Sequence, residues 1–167
     1  MIQRRFYCVL SAECWMLFLA APLAIGLTAA APPAVAFPSK ETPSPDIQAK
    51  RLFAEGQQRQ QEKRYAEAIT AYRRAIKLDP NQPETLNNIG FCYKEMKEYK
   101  KAIEYYKDTL RLNPKLAEAH EYLGEAYLQA GQGELAQQEY QTLLALDPRA
   151  AGELKEKIDA HAAQSGR

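Results

Sequence analysis

The chain writes one pattern three times at a step of 34 residues. That step links Gly56, Gly90 and Gly124, then Ala68, Ala102 and Ala136, then Tyr72, Tyr106 and Tyr140, then Pro80, Pro114 and Pro148. The endings repeat as well: Leu78-Asp79-Pro80, Leu112-Asn113-Pro114 and Leu146-Asp147-Pro148. Four independent positions do not hold one residue type through three copies by chance. A period of this length marks a chain of stacked units, each burying its apolar face on the next.

The middle copy holds Leu86, Ile89, Gly90, Tyr93, Ala102, Tyr106 and Pro114, with Thr109 at a place where Ala is usual. The third holds His120, Leu123, Gly124, Tyr127, Ala136, Tyr140, Leu143 and Pro148, and the first Leu52, Gly56, Ala68, Tyr72, Ala75 and Pro80. Over residues 47–148 this resembles the tetratricopeptide repeat, a helix–turn–helix unit. The resemblance implies an all-α fold, a right-handed α-solenoid of three hairpins with repeats at about 49–82, 83–116 and 117–148. Helices are expected near 47–62, 65–78, 83–96, 99–112, 117–130 and 133–146, and a capping helix over 149–163 with Leu154 and Ile158 on its apolar face. Glu55 and Arg59 depart from the pattern where a preceding repeat would pack, so none is expected before the first.

A glycine inside a helix costs roughly 0.5–1 kcal/mol relative to alanine. Three at one repeat position call for a packing reason. The expectation is that Gly56 faces Ala68, Gly90 faces Ala102 and Gly124 faces Ala136, drawing the helices of each hairpin together. Gly131-Gln132-Gly133 is expected to be the loosest hairpin turn, because Gly133 stands where Tyr65 and Tyr99 close the other two.

Residues 1–36 lie outside the repeats. Arg4 and Arg5 precede a largely apolar run from Trp15 to Ala36 that ends Ala34-Val35-Ala36, the form of a secretory signal peptide cut before Phe37. The run is also long enough to remain as a membrane anchor, though Pro22, Pro32 and Pro33 favour a cleaved leader. Residues 37–46 read as a Pro-rich linker, with Ser44 suited to cap a helix, Pro45 to open it and Asp46 to its first turn. Residues 164–167 are expected to form a disordered tail. These features imply an exported bacterial protein, periplasmic or held on the inner membrane facing the periplasm.

The formal charge of +1 hides an uneven distribution. Residues 49–82 carry eight Lys/Arg against four Asp/Glu, residues 83–116 seven against five, and residues 117–150 one against six. Solvated helix faces and two binding surfaces of opposite sign both remain open readings. Cys8 and Cys14 fall in the leader, so Cys92 is the thiol left for the repeats, read as a small buried apolar residue.

Catalytic chemistry is not indicated. His120 occupies a packing position with no acid or nucleophile in register, and His161 is near the C-terminus. No Cys/His set has metal-ligand spacing, and Gly131-Gln132-Gly133 is a turn rather than a phosphate loop. No cofactor is implied. The basic residues Arg73, Arg74, Lys77, Lys100, Lys101, Lys107 and Arg111 are interleaved with Glu67, Glu104 and Asp108, against a nucleic-acid surface.

The resemblance implies instead a protein-interaction groove along the first helices. Its positions map to Lys50, Phe53, Gln57, Asn87, Phe91, Lys94, Glu118, Glu121, Glu125 and Leu128. Members that clamp a peptide's terminal carboxylate do so with Lys, Asn and Arg. Here the matching places are Phe53, Gln57, Asn88, Glu118 and Tyr122, of which Asn88 alone fits. Apolar points at Phe53, Phe91 and Leu128 with acids at Glu118, Glu121 and Glu125 suggest a segment with apolar anchors and a basic stretch. The competing reading is that Phe53 and Phe91 simply pack between neighbouring first helices. A self-associating subunit of an envelope complex, anchored by an uncleaved N-terminal helix, is the alternative function.

Overall fold

A computed structural model describes residues 43–165. The expectations for the leader, for most of the linker and for residues 166–167 lie outside them. The described residues form seven helices and no strand: α1 (Pro45–Gln61), α2 (Tyr65–Leu78), α3 (Pro83–Glu95), α4 (Tyr99–Leu112), α5 (Ala117–Gln129), α6 (Gly133–Leu146) and α7 (Pro148–Ser165). None of them is long and apolar enough to cross a membrane. Hairpins α1–α2, α3–α4 and α5–α6 pack in series through α2–α3 and α4–α5, and α7 lies against both α5 and α6.

Local chemistry fixes the boundaries. The Ser44 side chain accepts a hydrogen bond from the Ile47 amide at 3.4 Å, with Pro45 opening α1. Each hairpin turn is the same helix-ending motif. The amides of Arg64, Glu98 and Gln132 donate to the carbonyls of Arg59, Tyr93 and Tyr127 at 2.9, 2.9 and 2.8 Å. The residue that must turn left-handed is Lys63 (φ 59°), Lys97 (φ 61°) and Gly131 (φ 74°) in turn. Gly131 is thus the residue best matched to that turn. Between repeats, Asp79, Asn113 and Asp147 accept side-chain bonds from the amides two residues on, at 3.2, 3.2 and 3.0 Å. This Asx turn explains why the chain ends each repeat in Asp or Asn before Pro.

The core confirms the small-residue rows but corrects what the glycines face. Ala68, Ala102 and Ala136 are fully buried. The space over Gly56 and Gly90, however, is filled by the rings of Tyr72 and Tyr106, one turn further along the second helix than the alanines. A Cβ at Gly90 would stand 2.7 Å from Tyr106 Cε1. At Gly124 the nearest side chain belongs to α7: a Cβ there would stand 2.6 Å from Leu154 Cδ2. Helix α7 starts at Pro148 and runs through Ser165, so Gln164 and Ser165 continue a helix where a tail was expected. Its buried Ala150, Ala151 and Leu154 close the last hairpin.

Candidate functional site

Successive first helices carry the groove positions in register. Lys50, Glu84 and Glu118 are exposed on α1, α3 and α5. Lys50 reaches back to Asp46 at 2.9 Å in an open ion pair. Between the N-terminal ends of α1 and α3 lies a cavity of about 260 Å³ lined by Lys50, Phe53, Gln82, Glu84 and Thr85. Phe53 is half-buried, its ring 5.7 Å from that of Tyr72. Gln57 is exposed one turn on.

The second and third repeats hold their groove residues differently. Phe91 packs on Tyr122 of α5, ring centroids 5.6 Å apart, so for this residue packing between neighbouring first helices is what the fold shows. Lys94 lies over both rings, 5.2 Å from the Phe91 centroid and 4.6 Å from that of Tyr122, a cation–π arrangement. Two predicted groove residues are almost wholly covered. Leu128 is 4% exposed and Asn87 3% exposed, so neither offers more than an edge to an incoming segment. Both turn inward because α5 and α3 are covered on that side by neighbouring helices.

The acidic end is not free. Glu121 Oε1 lies 3.2 Å from Lys157 Nζ of α7, and Glu125 bonds both Lys157 and Lys94. Burial works against the Glu125 charge, but these two ammonium groups more than offset it and hold the carboxyl below the usual range. Burial likewise opposes the Lys157 charge, and the bonds to Glu125 and Glu121 raise its pKa. The expected basic stretch in a partner therefore loses its main attractor, and Glu118 is left as the exposed acid of that group. Beside this cluster, at the C-terminal ends of α3, α5 and α7, a second hollow of about 370 Å³ is lined by Lys94, Glu95, Lys97, Tyr99, Glu125, Leu128, Gln129, Lys157 and His161.

His120 has the acid partner that spacing along the chain did not reveal. Its Nδ1 lies 2.6 Å from Glu139 Oε2 on α6 and its Nε2 3.0 Å from the Pro114 carbonyl. Acceptors at both nitrogens call for both to carry protons. Burial opposes that charge, but the Glu139 and Pro114 bonds outweigh it and raise the pKa. The pair joins α5, α6 and the preceding turn. Cys92 is fully buried, and burial pushes its thiol up to about 12, which leaves it unreactive. On the second helices Arg73 donates to the hydroxyls of Tyr93 and Tyr105 at 3.0 and 3.1 Å, a bridge from α2 to α3 and α4. Neither Lys157 nor Glu139 was singled out from sequence. The signal available was a charge of the right sign, on the next element for Glu139 and on the one after it for Lys157.

The comparisons with known proteins agree with this geometry. A TPR repeat model matches residues 56–97 and a tetratricopeptide repeat model matches residues 83–116. No curated protein sequence matches the chain. Among solved structures, the first TPR of Spaghetti (RPAP3) bound to HSP90 peptide SRMEEVD is 26% identical with a TM-score of 0.64, covering 71% of this chain and 95% of that one. The second TPR domain of human RPAP3, in complex with HSP70 peptide SGPTIEEVD, is 26% identical with a TM-score of 0.65, covering 69% and 98%. The Arabidopsis OM64 TPR domain, at 18% identity and a TM-score of 0.66 over 70% and 98%, shares the fold. Tetratricopeptide-repeat models thus match residues 56–116 of the chain, and its three like hairpins have the fold of the TPR domains it resembles.

Proposed function

We propose that the chain is an exported adaptor of the bacterial cell envelope whose groove along α1 and α3 takes a segment of another protein. The observation that carries this reading is the cavity of about 260 Å³ between those helices. It pairs the half-buried ring of Phe53 with Lys50 and Glu84 at its lip. That suits an extended segment inserting one apolar side chain between charges of both signs.

The similar RPAP3 domains hold peptides ending in EEVD. Here the places of a carboxylate clamp are Phe53, Gln57, Asn88, Glu118 and Tyr122, and Glu118 repels an acidic terminus. The segment taken by this chain is therefore internal to its protein and anchored by apolar contact. Export rests on the basic start, apolar run and Ala34-Val35-Ala36 ending of residues 1–36.

Crosslinking and capture from the native envelope test the reading, using the wild-type chain and a Lys50→Glu/Glu84→Lys exchange. Both positions are exposed, so helix content should be unchanged. Loss of one captured protein from the exchanged variant supports the groove, and undiminished capture contradicts it. Sizing chromatography separates the alternative: assembly of the purified chain without a partner would make it a self-associating subunit. An N-terminus at Phe37 in the mature protein supports the cleaved leader.

A further inference from the structure

Glu121 and Glu125 stand one turn apart on α5, and both face α7. Lys157 reaches the two together, at 3.2 Å from Glu121 Oε1 and in direct contact with Glu125, while Lys94 of α3 takes the other side of Glu125. The side chains of Glu121, Glu125 and Lys94 are 16%, 18% and 13% exposed, and Lys157, 43% exposed, covers the two carboxylates from the solvent side. Lys157 lies outside the repeats, on a helix anchored by Leu154 over Gly124. The two α7 residues are three apart and so share a face, and the seating of Leu154 delivers the Lys157 ammonium to the groove.

We propose that Lys157 sets the charge specificity where the groove continues from α3 onto the third repeat, neutralising Glu121 and Glu125 from outside the repeats and excluding basic segments there. This rests on the groove reading above and narrows its partner to one whose charges lie beside the apolar anchor, at Lys50 and Glu84, with no basic stretch over the third repeat. The physical reason is competition. Two part-buried carboxylates a helical turn apart repel each other and attract any cation that can reach them, more strongly than exposed acids do. With Lys94 and Lys157 in place, Glu121 and Glu125 each meet an ammonium group, Lys94 also lying 4.0 Å from Glu95. An incoming lysine or arginine must displace a partner tethered on the same chain, whose effective concentration is high.

The test uses the full-length chain and hexalysine as probe, at low ionic strength. Lys157→Gln should tighten hexalysine binding about fivefold, the factor corresponding to an ion pair of about 1 kcal/mol. Glu121 bonds Lys157 and no other cation named at this cluster, so Lys157→Gln/Glu121→Gln should return binding to the wild-type level with Glu125 still on Lys94. Equal binding by wild type and Lys157→Gln overturns the proposal. So does a gain that persists in the double variant, which would mean that α7 had come away and exposed other acids. Because hexalysine reports on Glu121 directly, failure here leaves the Lys50/Glu84 capture result standing, and failure of that capture leaves this one readable.

Discussion

In the first two hairpins the glycine of the first helix is covered from within the hairpin, Gly56 by Tyr72 and Gly90 by Tyr106, whereas Gly124 in the third is covered by Leu154 of α7. The tyrosines follow suit: Tyr72 and Tyr106 are fully buried, and the equivalent Tyr140 is half-buried. Three copies of one motif therefore do not have three equal cores. The last copy borrows a side chain from outside the repeat, and the helix that lends it also carries the lysine that closes the acidic end of the groove. Stability of the third hairpin and specificity of the groove are tied to the same element.

The largest test of this contrast is truncation of the aromatics. Tyr106→Ala should cost about 3 kcal/mol or more in denaturant unfolding, because a fully buried ring leaves a cavity. Tyr140→Ala should cost about 1 kcal/mol or less, since Leu154 covers its glycine instead. Equal losses would erase the distinction. Next, Gly90→Ala should destabilise by about 1–3 kcal/mol, because the added methyl meets the flat, fully buried ring of Tyr106. Gly124→Ala should cost less, since it meets the rotatable end of Leu154.

Removing one hydroxyl separates the first two repeats from each other. Tyr72 donates to Gln60 Oε1 at 2.8 Å, and the buried Tyr106 hydroxyl has no protein partner. The residue equivalent to Gln60 is Lys94, which is committed to Glu125. Tyr72→Phe should thus destabilise by about 1 kcal/mol, while Tyr106→Phe should be neutral or stabilising. A loss for both on thermal melting would contradict the assignment.

Within the third hairpin, His120 makes stability depend on pH. Its pKa is raised on folding, so its contribution is complete below the unfolded-state value near 6.5 and is lost as pH rises through the folded-state value. Urea midpoints of wild type should fall across that window relative to those of His120→Gln. A constant difference between the two would show that the Glu139 pairing does not act through the charged ring. The smallest effect belongs to the turns. Lys97→Gly should stabilise by up to about 1 kcal/mol by relieving a left-handed lysine, and Gly131→Lys should reverse that sign.

The repeat pattern carried nearly all of the secondary structure, because a 34-residue period with Pro and Asx at each junction constrains where every helix starts and stops. Ser44 and Pro45 located the start of α1 for the same local reason. What the pattern left ambiguous was tertiary. Ala68 and Tyr72 sit one turn apart on the same face of α2, so spacing alone does not say which of them meets Gly56. Leu128 and Asn87 occupy groove positions by register, yet the neighbouring helices bury both. The pairing of Glu121 and Glu125 with Lys157 was hidden because it depends on how α7 rotates when Leu154 seats, and α7 has no counterpart in the motif.

The dependence of the third hairpin on α7 is tested most directly by hydrogen exchange of wild type and Leu154→Ala, resolved helix by helix. The structure predicts that α5, α6 and α7 lose protection while α1 to α4 keep theirs. Unchanged protection in α5 and α6, or an even loss across all seven helices, would contradict it.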